Sequence, residues 1–364
     1  LAVIPDVVVV GGGPAGSTVA WRLARAGGRV LLLDAARFPR VKLCAGWVTR
    51  KALADLELTQ EAYPHTLQAF RTVSVDIDGS TYASAWPRVA SYGIVREQFD
   101  TYLLQRAAVA GAVVQENTRV RAVRPAGRGY ELDTSGGRIS APLVIGAGGH
   151  GCPVARALGN VRPDESVIVT QESETRVGAE RLRALTPSYG TPELFAEPDF
   201  HGYGWYFTKG DFLNVGVGAQ GGLRIADRMA RLLDRLRAMG RLPIESLLTS
   251  FKGHAYSVRR SRPRQVAGRD FLLVGDGAGM ARDLSGEGIG PAVRSACLAA
   301  DAVASGRLDG YPAQLDAAFG SPSAIVGSLA TWLPDRILVG AARLACVTPW
   351  TRRKWLLEGA FGIG

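Results

Sequence analysis

Two glycine-rich segments, one cysteine and two aromatic residues are where this sequence offers chemistry. The first segment, Gly11-Gly12-Gly13-Pro14-Ala15-Gly16, has the spacing G-x-G-x-x-G. It follows the β-branched run Asp6–Val10 and precedes STVAWRLARAG, which has helical periodicity. Gly27 and Gly28 stop that helix, and Arg29–Leu33 forms a second strand that ends at Asp34. In this order Gly11 permits a tight turn, Gly13 lets the backbone approach a pyrophosphate, and Gly16 lets the helix lie close to the sheet. Pro14 and Ala15 belong to the same phosphate-facing stretch, where the free N–H groups of the helix point at the ligand. Asp34 lies 18 residues after Gly16, where a carboxylate can hold ribose hydroxyls. Strand, glycines, helix, strand and acid together predict a dinucleotide-binding α/β unit. They leave NAD and FAD open.

The second segment, Phe271–Gly279, is a buried-type strand ending in G-D-G-A-G. It continues through Leu284-Ser285-Gly286-Glu287-Gly288-Ile289-Gly290 into the helical run PAVRSACLAADAVA. A third stretch, Leu143–Gly151, also fits a strand followed by G-x-G-x-x-G, at Gly146, Gly148 and Gly151. Taken literally it announces a second dinucleotide domain. The residues after it offer no clear βαβ completion, so the preferred reading is a strand that turns over the same ligand.

The stretch DVVVVGGGPAGSTVAWRLARAG, with Pro39, Arg40, Lys42, Cys44, Ala45 and Gly46 in the pattern P-R-x-K-x-C-[GA]-G, resembles the geranylgeranyl reductase family. These are FAD enzymes related to the flavin-dependent halogenases and aromatic hydroxylases. The resemblance extends over most of the chain, and the G-D-G-A-G…G-E-G-I segment is the part of it that speaks for FAD. It implies that Arg40, Cys44, Ala45 and Gly46 lie on a loop beside the flavin. Arg96, in an R-x-x-F-D helix start, is the position implied to contact FAD, and Val120 the position implied to hold the adenine through its backbone. Gly275 and Asp276 are implied to meet the ribityl chain, and the Gly286–Ile289 backbone, with Gly288, to face the flavin O2. His201–Gly210 is similar to the family's G-Y-x-W-x-F-P-K-G element, with Thr208 in the proline position. Tyr203 and Trp205 alternate with glycines there, so both can face one side of a strand. Cys44, Tyr203 and Trp205 are the expected catalytic positions, Cys44 either donating a proton or guiding the substrate. The family's usual proline is missing between the two late glycine runs, where Met280-Ala281-Arg282-Asp283 brings charge that could alter access to the flavin.

The remaining features bound the answer. With 364 residues the chain has room for about two domains. Its net charge of +10 is spread without a long basic run, which disfavours nucleic acid but suits anionic ligands. Cys44, Cys152, Cys297 and Cys346 are too dispersed for a metal site or a disulfide scaffold, although a Cys44–Cys152 redox pair is conceivable. His65, His150, His201 and His254 are scattered, with His150 and His201 in expected site loops. No leader or membrane span is evident, so the expected location is the cytoplasm.

The expected fold is α/β: a discontinuous doubly wound FAD-binding domain (1–66, 91–165, 266–310), an inserted mixed-sheet substrate domain (67–90, 166–265) and a C-terminal helical segment (311–364). That segment carries Ile325, Val326, Leu329, Trp332, Leu333, Ile337, Leu338, Leu344, Trp350 and Trp355 among Arg336, Arg343, Arg352, Arg353 and Lys354. It reads as packing or as an interfacial membrane contact for a lipid-like substrate. The expected activity is flavin-dependent reduction of a carbon–carbon double bond in a prenyl or other hydrophobic compound. NAD(P)H or another reductant is the expected electron donor. The alternatives are a monooxygenase, a halogenase and a non-catalytic flavoprotein.

Overall fold

The computed structural model describes residues 5–162, 165, 167–222, 224–242, 247–259, 264–320 and 335–364. Ile325, Val326, Leu329, Trp332 and Leu333 lie outside the described residues.

The strand β1 (Val7–Val10) is four buried valines and sits inside a six-stranded sheet. A continuous apolar run is what a strand covered on both faces requires. β1 pairs in parallel with β2 (Val30–Leu33) on one side and β12 (Leu143–Gly146) on the other. β8 (Val113–Gln115) extends the sheet beyond β2, and β19 (Phe271–Leu273) extends it beyond β12, both in parallel. The two-residue β18 (Ala267–Gly268) closes that edge antiparallel to β19. The third glycine stretch therefore supplies a strand of the same sheet. It leaves β12 through the turn Gly149–Gly151 into the five-residue helix α4 (Pro153–Ala157).

Helix α1 (Pro14–Arg25) packs against both α3 (Arg96–Val109) and α7 (Ile289–Ala304). The short α2 (Arg50–Asp55), capped by Thr49 Oγ1 accepting from the Ala52 N–H at 3.2 Å, lies on α7. β9 (Val120–Pro125), β10 (Tyr130–Thr134) and β11 (Gly137–Ala141) form an antiparallel sheet. Val120, Val123, Leu132 and Ala141 from this sheet join the same core as β1.

A second large sheet has seven strands in the order β17-β13-β16-β15-β14-β5-β6. They are β5 (Thr72–Ile77), β6 (Ser80–Ala85), β13 (Val167–Arg176), β14 (Glu193–Ala196), β15 (Gly202–Lys209), β16 (Phe212–Gln220) and β17 (Lys252–Ser257). Only β14 and β5 pair in parallel. Strand alternation gives this sheet two distinct faces. Tyr206, Leu213, Val215 and Val217 point to one, against α5 (Ala179–Leu185) and α6 (Ile225–Ala238). Trp205, Phe207, Val73, Val75 and Leu194 point to the other, where Cys346, Leu357, Phe361 and Ile363 of the tail cover part of them. Between the two large sheets, β3 (Trp47–Thr49), β7 (Ser91–Ile94) and β4 (Leu67–Phe70) form a small antiparallel sheet. Trp47 reaches from it to Phe70 and Phe207, with ring centroids 6.0 and 5.5 Å away.

The tail is both packed and exposed. Arg352, expected on the polar side, is buried: it donates to Ser84 Oγ and the Ala83 carbonyl of β6 and to the Cys346 and Val347 carbonyls. Ile337, Leu344, Trp350 and Trp355 are exposed.

Candidate functional site

The carboxyl ends of β1, β2, β12 and β19 open into a cleft whose far wall is the inner face of the seven-stranded sheet. Ligand crevices in parallel sheets form at that end of the strands. The cradle is made by backbone that tolerates no side chain. A Cβ on Gly11, which has φ +111°, would stand 2.4 Å from the Ala147 carbonyl oxygen. One on Gly16 would stand 1.7 Å from the Gly11 oxygen, so α1 can approach the turn only without it. Gly13 is the N-cap of α1 and offers no side-chain cap, which leaves the first N–H groups of the helix free beside Gly13, Pro14 and Ala15 in the cleft wall. Arg40 faces Gly13 from across the cleft.

Asp34 accepts from the Gly12 N–H at 2.6 Å and the Ala36 N–H at 2.7 Å, which fixes its carboxylate at the cleft edge. Gly11, Asp34 and Gly148 also border a second hollow lined by Val120, Arg119, Arg121, Arg124 and Arg156.

Arg96 is buried in the cleft wall rather than solvated at the start of α3. Asp100, one turn later and fully buried, takes two hydrogen bonds from Arg96, both 2.7 Å, and lies 3.1 Å from Arg40. Burial works against the Arg96 charge, and the paired Asp100 outweighs it. Lys42 reaches into the same region. Burial and then Arg96 push its pKa down, while Asp276 and Asp100 act the other way.

On the opposite side, Asp276 sits in the turn Gly275–Ala278 that leaves β19, and Gly275 has φ +58° with Ala15 and Ala292 close by. Gly286, Gly288 and Ile289 line the cleft at the N-terminus of α7. Glu287 Oε1 accepts from the Gly290 N–H at 2.6 Å, and its other oxygen accepts from Arg282 Nε at 3.1 Å. Arg282 also donates to the Gly359 carbonyl, and Ser285 Oγ to that of Ala360. The charge expected to disturb access is thus turned toward Glu287 and the tail.

Cys44 lines the cleft, half-buried, its Sγ accepting from the Gly46 N–H at 3.3 Å. Ala45 lies beside it, and its carbonyl accepts from the buried Lys209 Nζ at 3.0 Å. Gly46, with φ +66°, must be glycine because a Cβ would meet the Ile94 oxygen at 2.2 Å. Cys152 is fully buried against Gly146 and Gly277, and all four cysteines are free. Tyr203 and Trp205 project into the cleft from β15. The Tyr203 hydroxyl donates to the Ser285 carbonyl, and Trp205 Nε1 donates to Asn214 Oδ1 at 2.6 Å.

Several lining residues had no motif to announce them, among them Trp47, Thr170, Glu172, His254, Tyr256, Phe361 and Ile363. Of the histidines, His254 is the one in the cleft wall, and burial followed by Lys42 pushes it down to about 4, so it is neutral at pH 7. His201 is exposed, and His150 pairs with Ser257 Oγ at 3.2 Å. Among the described residues no group of His, Cys, Asp and Glu could hold a metal, and no helix is long and apolar enough to cross a membrane.

Fold and cradle define a dinucleotide-dependent class, and the comparisons specify it. Residues 5–187 match the FAD binding domain family. The protein is an FAD-dependent oxidoreductase. A menaquinone reductase of Mycolicibacterium smegmatis is 30% identical over 343 residues, covering 84% of this chain and 78% of that protein. A geranylgeranyl diphosphate reductase of Rhodobacter capsulatus is 30% identical over 328 residues, covering 85% and 78%. A geranylgeranyl bacteriochlorophyll reductase-like crystal structure from Thermoplasma acidophilum superposes with a TM-score of 0.75 at 20% identity, covering 93% of this chain and 90% of that one. The chain belongs to the geranylgeranyl reductase family of FAD-dependent oxidoreductases.

Proposed function

We propose that this protein reduces carbon–carbon double bonds in a prenyl chain or a similarly hydrophobic compound. The observation that carries the reading is the wall facing the glycine cradle. Trp47, Tyr203, Trp205, Phe361 and Ile363 give it an apolar and aromatic surface suited to a hydrocarbon chain. The names of the relatives, reductases of a geranylgeranyl diphosphate and of a menaquinone, agree with it.

In this reading the Gly11–Gly16 turn and Arg40 hold the pyrophosphate, Asp34 a ribose and Val120 the adenine. Gly275 and Asp276 meet the ribityl chain, Gly286, Gly288 and Ile289 the pyrimidine edge, and Arg96 with Cys44–Gly46 the flavin flank. Bound FAD, once reduced by NAD(P)H or another donor, supplies a hydride equivalent. Cys44, Tyr203 and Trp205 orient the chain next to it and keep water out. Residues 1–66, 91–165 and 266–310 act as the FAD-binding domain, 67–90 and 166–265 as the substrate domain. Residues 311–364 add a peripheral membrane contact through Leu344, Trp350 and Trp355, and catalysis takes place in the cytoplasm.

The test is to reduce the purified protein anaerobically with dithionite and offer geranylgeranyl diphosphate or a menaquinone. Gain of two hydrogens per double bond, read by mass spectrometry, is the expected result. No saturation, together with fast flavin reoxidation by oxygen, would move the assignment to oxygenation.

A further inference from the structure

One buried acid in the cleft belongs to none of the glycine-rich or cysteine motifs. Glu172 lies on β13, two residues from Thr170, and both side chains face the cleft. It is 1% exposed, and its Oε2 finds no hydrogen-bond partner among the described residues. Its position is set by β16. Gly216 lies between Glu172 and Trp205 in register, and a Cβ there would stand 2.3 Å from the indole and 2.7 Å from the Glu172 Cβ. The missing side chain lets the indole lie over the strand and against the acid, so the carboxyl meets the cleft beside an aromatic surface.

Charge around it is unbalanced. Lys209 on β15 is committed to Glu174, two residues along β13, and to the Ala45 carbonyl. Asn214 of β16 lies next to both acids. β17 contributes Lys252 opposite Glu172 in register, then His254 and Tyr256, and α3 contributes Arg96 at longer range. The buried Glu172 and the half-buried Glu174 thus share the buried Lys209 ammonium, which favours one of them keeping its proton. Burial is the leading influence on Glu172 and raises it. Lys209 opposes this, Glu174 adds to it, Arg96 and Asn214 oppose it, and the outcome is about 7. A proton held near neutral pH suits a general acid.

Building on the reductase reading above, we propose that Glu172 is the acid that delivers the proton in the double-bond reduction. The Glu172 O–H bond breaks as a C–H bond forms at one alkene carbon, using the π pair. A bound reduced flavin would supply the hydride equivalent for the second C–H bond, at the other carbon, and would account for the two electrons. The carboxylate then regains a proton from water.

Three readouts test this on the flavin-loaded protein. Glu172→Gln should keep its flavin spectrum and lose saturation of geranylgeranyl diphosphate by about 100-fold or more, and Glu172→Asp should recover part of it. Wild-type saturation should fall as pH rises through 7, while the residual rate of the Gln variant stays flat. Infrared spectroscopy should show a protonated-carboxyl band in the wild type that fades across the same pH range and is missing from Glu172→Gln. Saturation by Glu172→Gln at the wild-type rate, or a band that the substitution does not remove, overturns the acid role alone. A wild-type protein that saturates no prenyl chain overturns the reductase reading, which is a different result.

Discussion

At the scale of single residues, the site divides into groups held by local sequence and groups gathered from afar. Gly11, Gly13, Gly16 and Asp34 could be recognised because one turn, one helix and two strands fix them within thirty residues. Their spacing is their geometry. Asp100 was visible only as a letter in a motif, yet it holds Arg96 by two hydrogen bonds and sits 3.1 Å from Arg40. Removing one partner of a buried ion pair leaves the other charge uncompensated. Asp100→Asn is therefore expected to destabilise the protein by about 3–5 kcal/mol, and to weaken flavin retention, measured by chemical denaturation and by flavin release on dilution. Glu172 gives a pH effect with a definite sign. Its folded pKa of about 7 lies above the ordinary 4.5, so the folded state binds more protons between those values. Its stabilising contribution is complete below pH 4.5 and is lost as pH rises to 7. Relative to wild type, Glu172→Gln should gain stability across that window, by at most about 3 kcal/mol, as read from denaturation midpoints at pH 4.5 and pH 8.

At the scale of elements, α7 shows how a departure from a pattern became structure. The sequence signalled charge at Arg282 but could not say where it points. The structure turns it onto Glu287, which satisfies the Gly290 N–H at the start of α7, and onto the Gly359 carbonyl in the tail. Arg282→Ala leaves Glu287 buried without its cation and that carbonyl without its donor. A loss of about 1–3 kcal/mol follows, detectable as a lower thermal midpoint of the flavin-free protein. The seven-stranded sheet explains what the sequence left hidden. Alternation along β13, β15 and β17 points Thr170, Glu172, Tyr203, Trp205, His254 and Tyr256 at one cleft. Each strand gives only two of them, so no single stretch of sequence carries the pattern. Tyr203 and Trp205 were legible because they fall within a recognisable element. Glu172 and His254 belong to strands with ordinary composition.

At the scale of the whole molecule, the tail presents two surfaces. Cys346, Leu357, Phe361 and Ile363 join the core of the inner sheet face, and Arg352 pins the segment to β6. On the outside, Trp350 and Trp355 are 61% and 64% exposed with ring centroids 6.0 Å apart, next to Lys354. Exposed tryptophans beside cations suit a lipid interface. Converting both to serine should reduce sedimentation with phosphatidylglycerol-containing vesicles several-fold, with flavin content unchanged; equal sedimentation would remove the membrane contact. The parallel sheet places β1 and β19 on either side of β12, so the two sides of the cleft come from segments far apart in the chain. During synthesis the cradle through Asp34 leaves the ribosome first, and Ile289 follows 255 residues later. At roughly 5–20 residues per second that interval is roughly ten to fifty seconds. Throughout it the nascent chain has the Gly11–Gly16 turn and its free helix N–H groups without the opposite wall of the cleft, so completion of the cleft is a late event of translation.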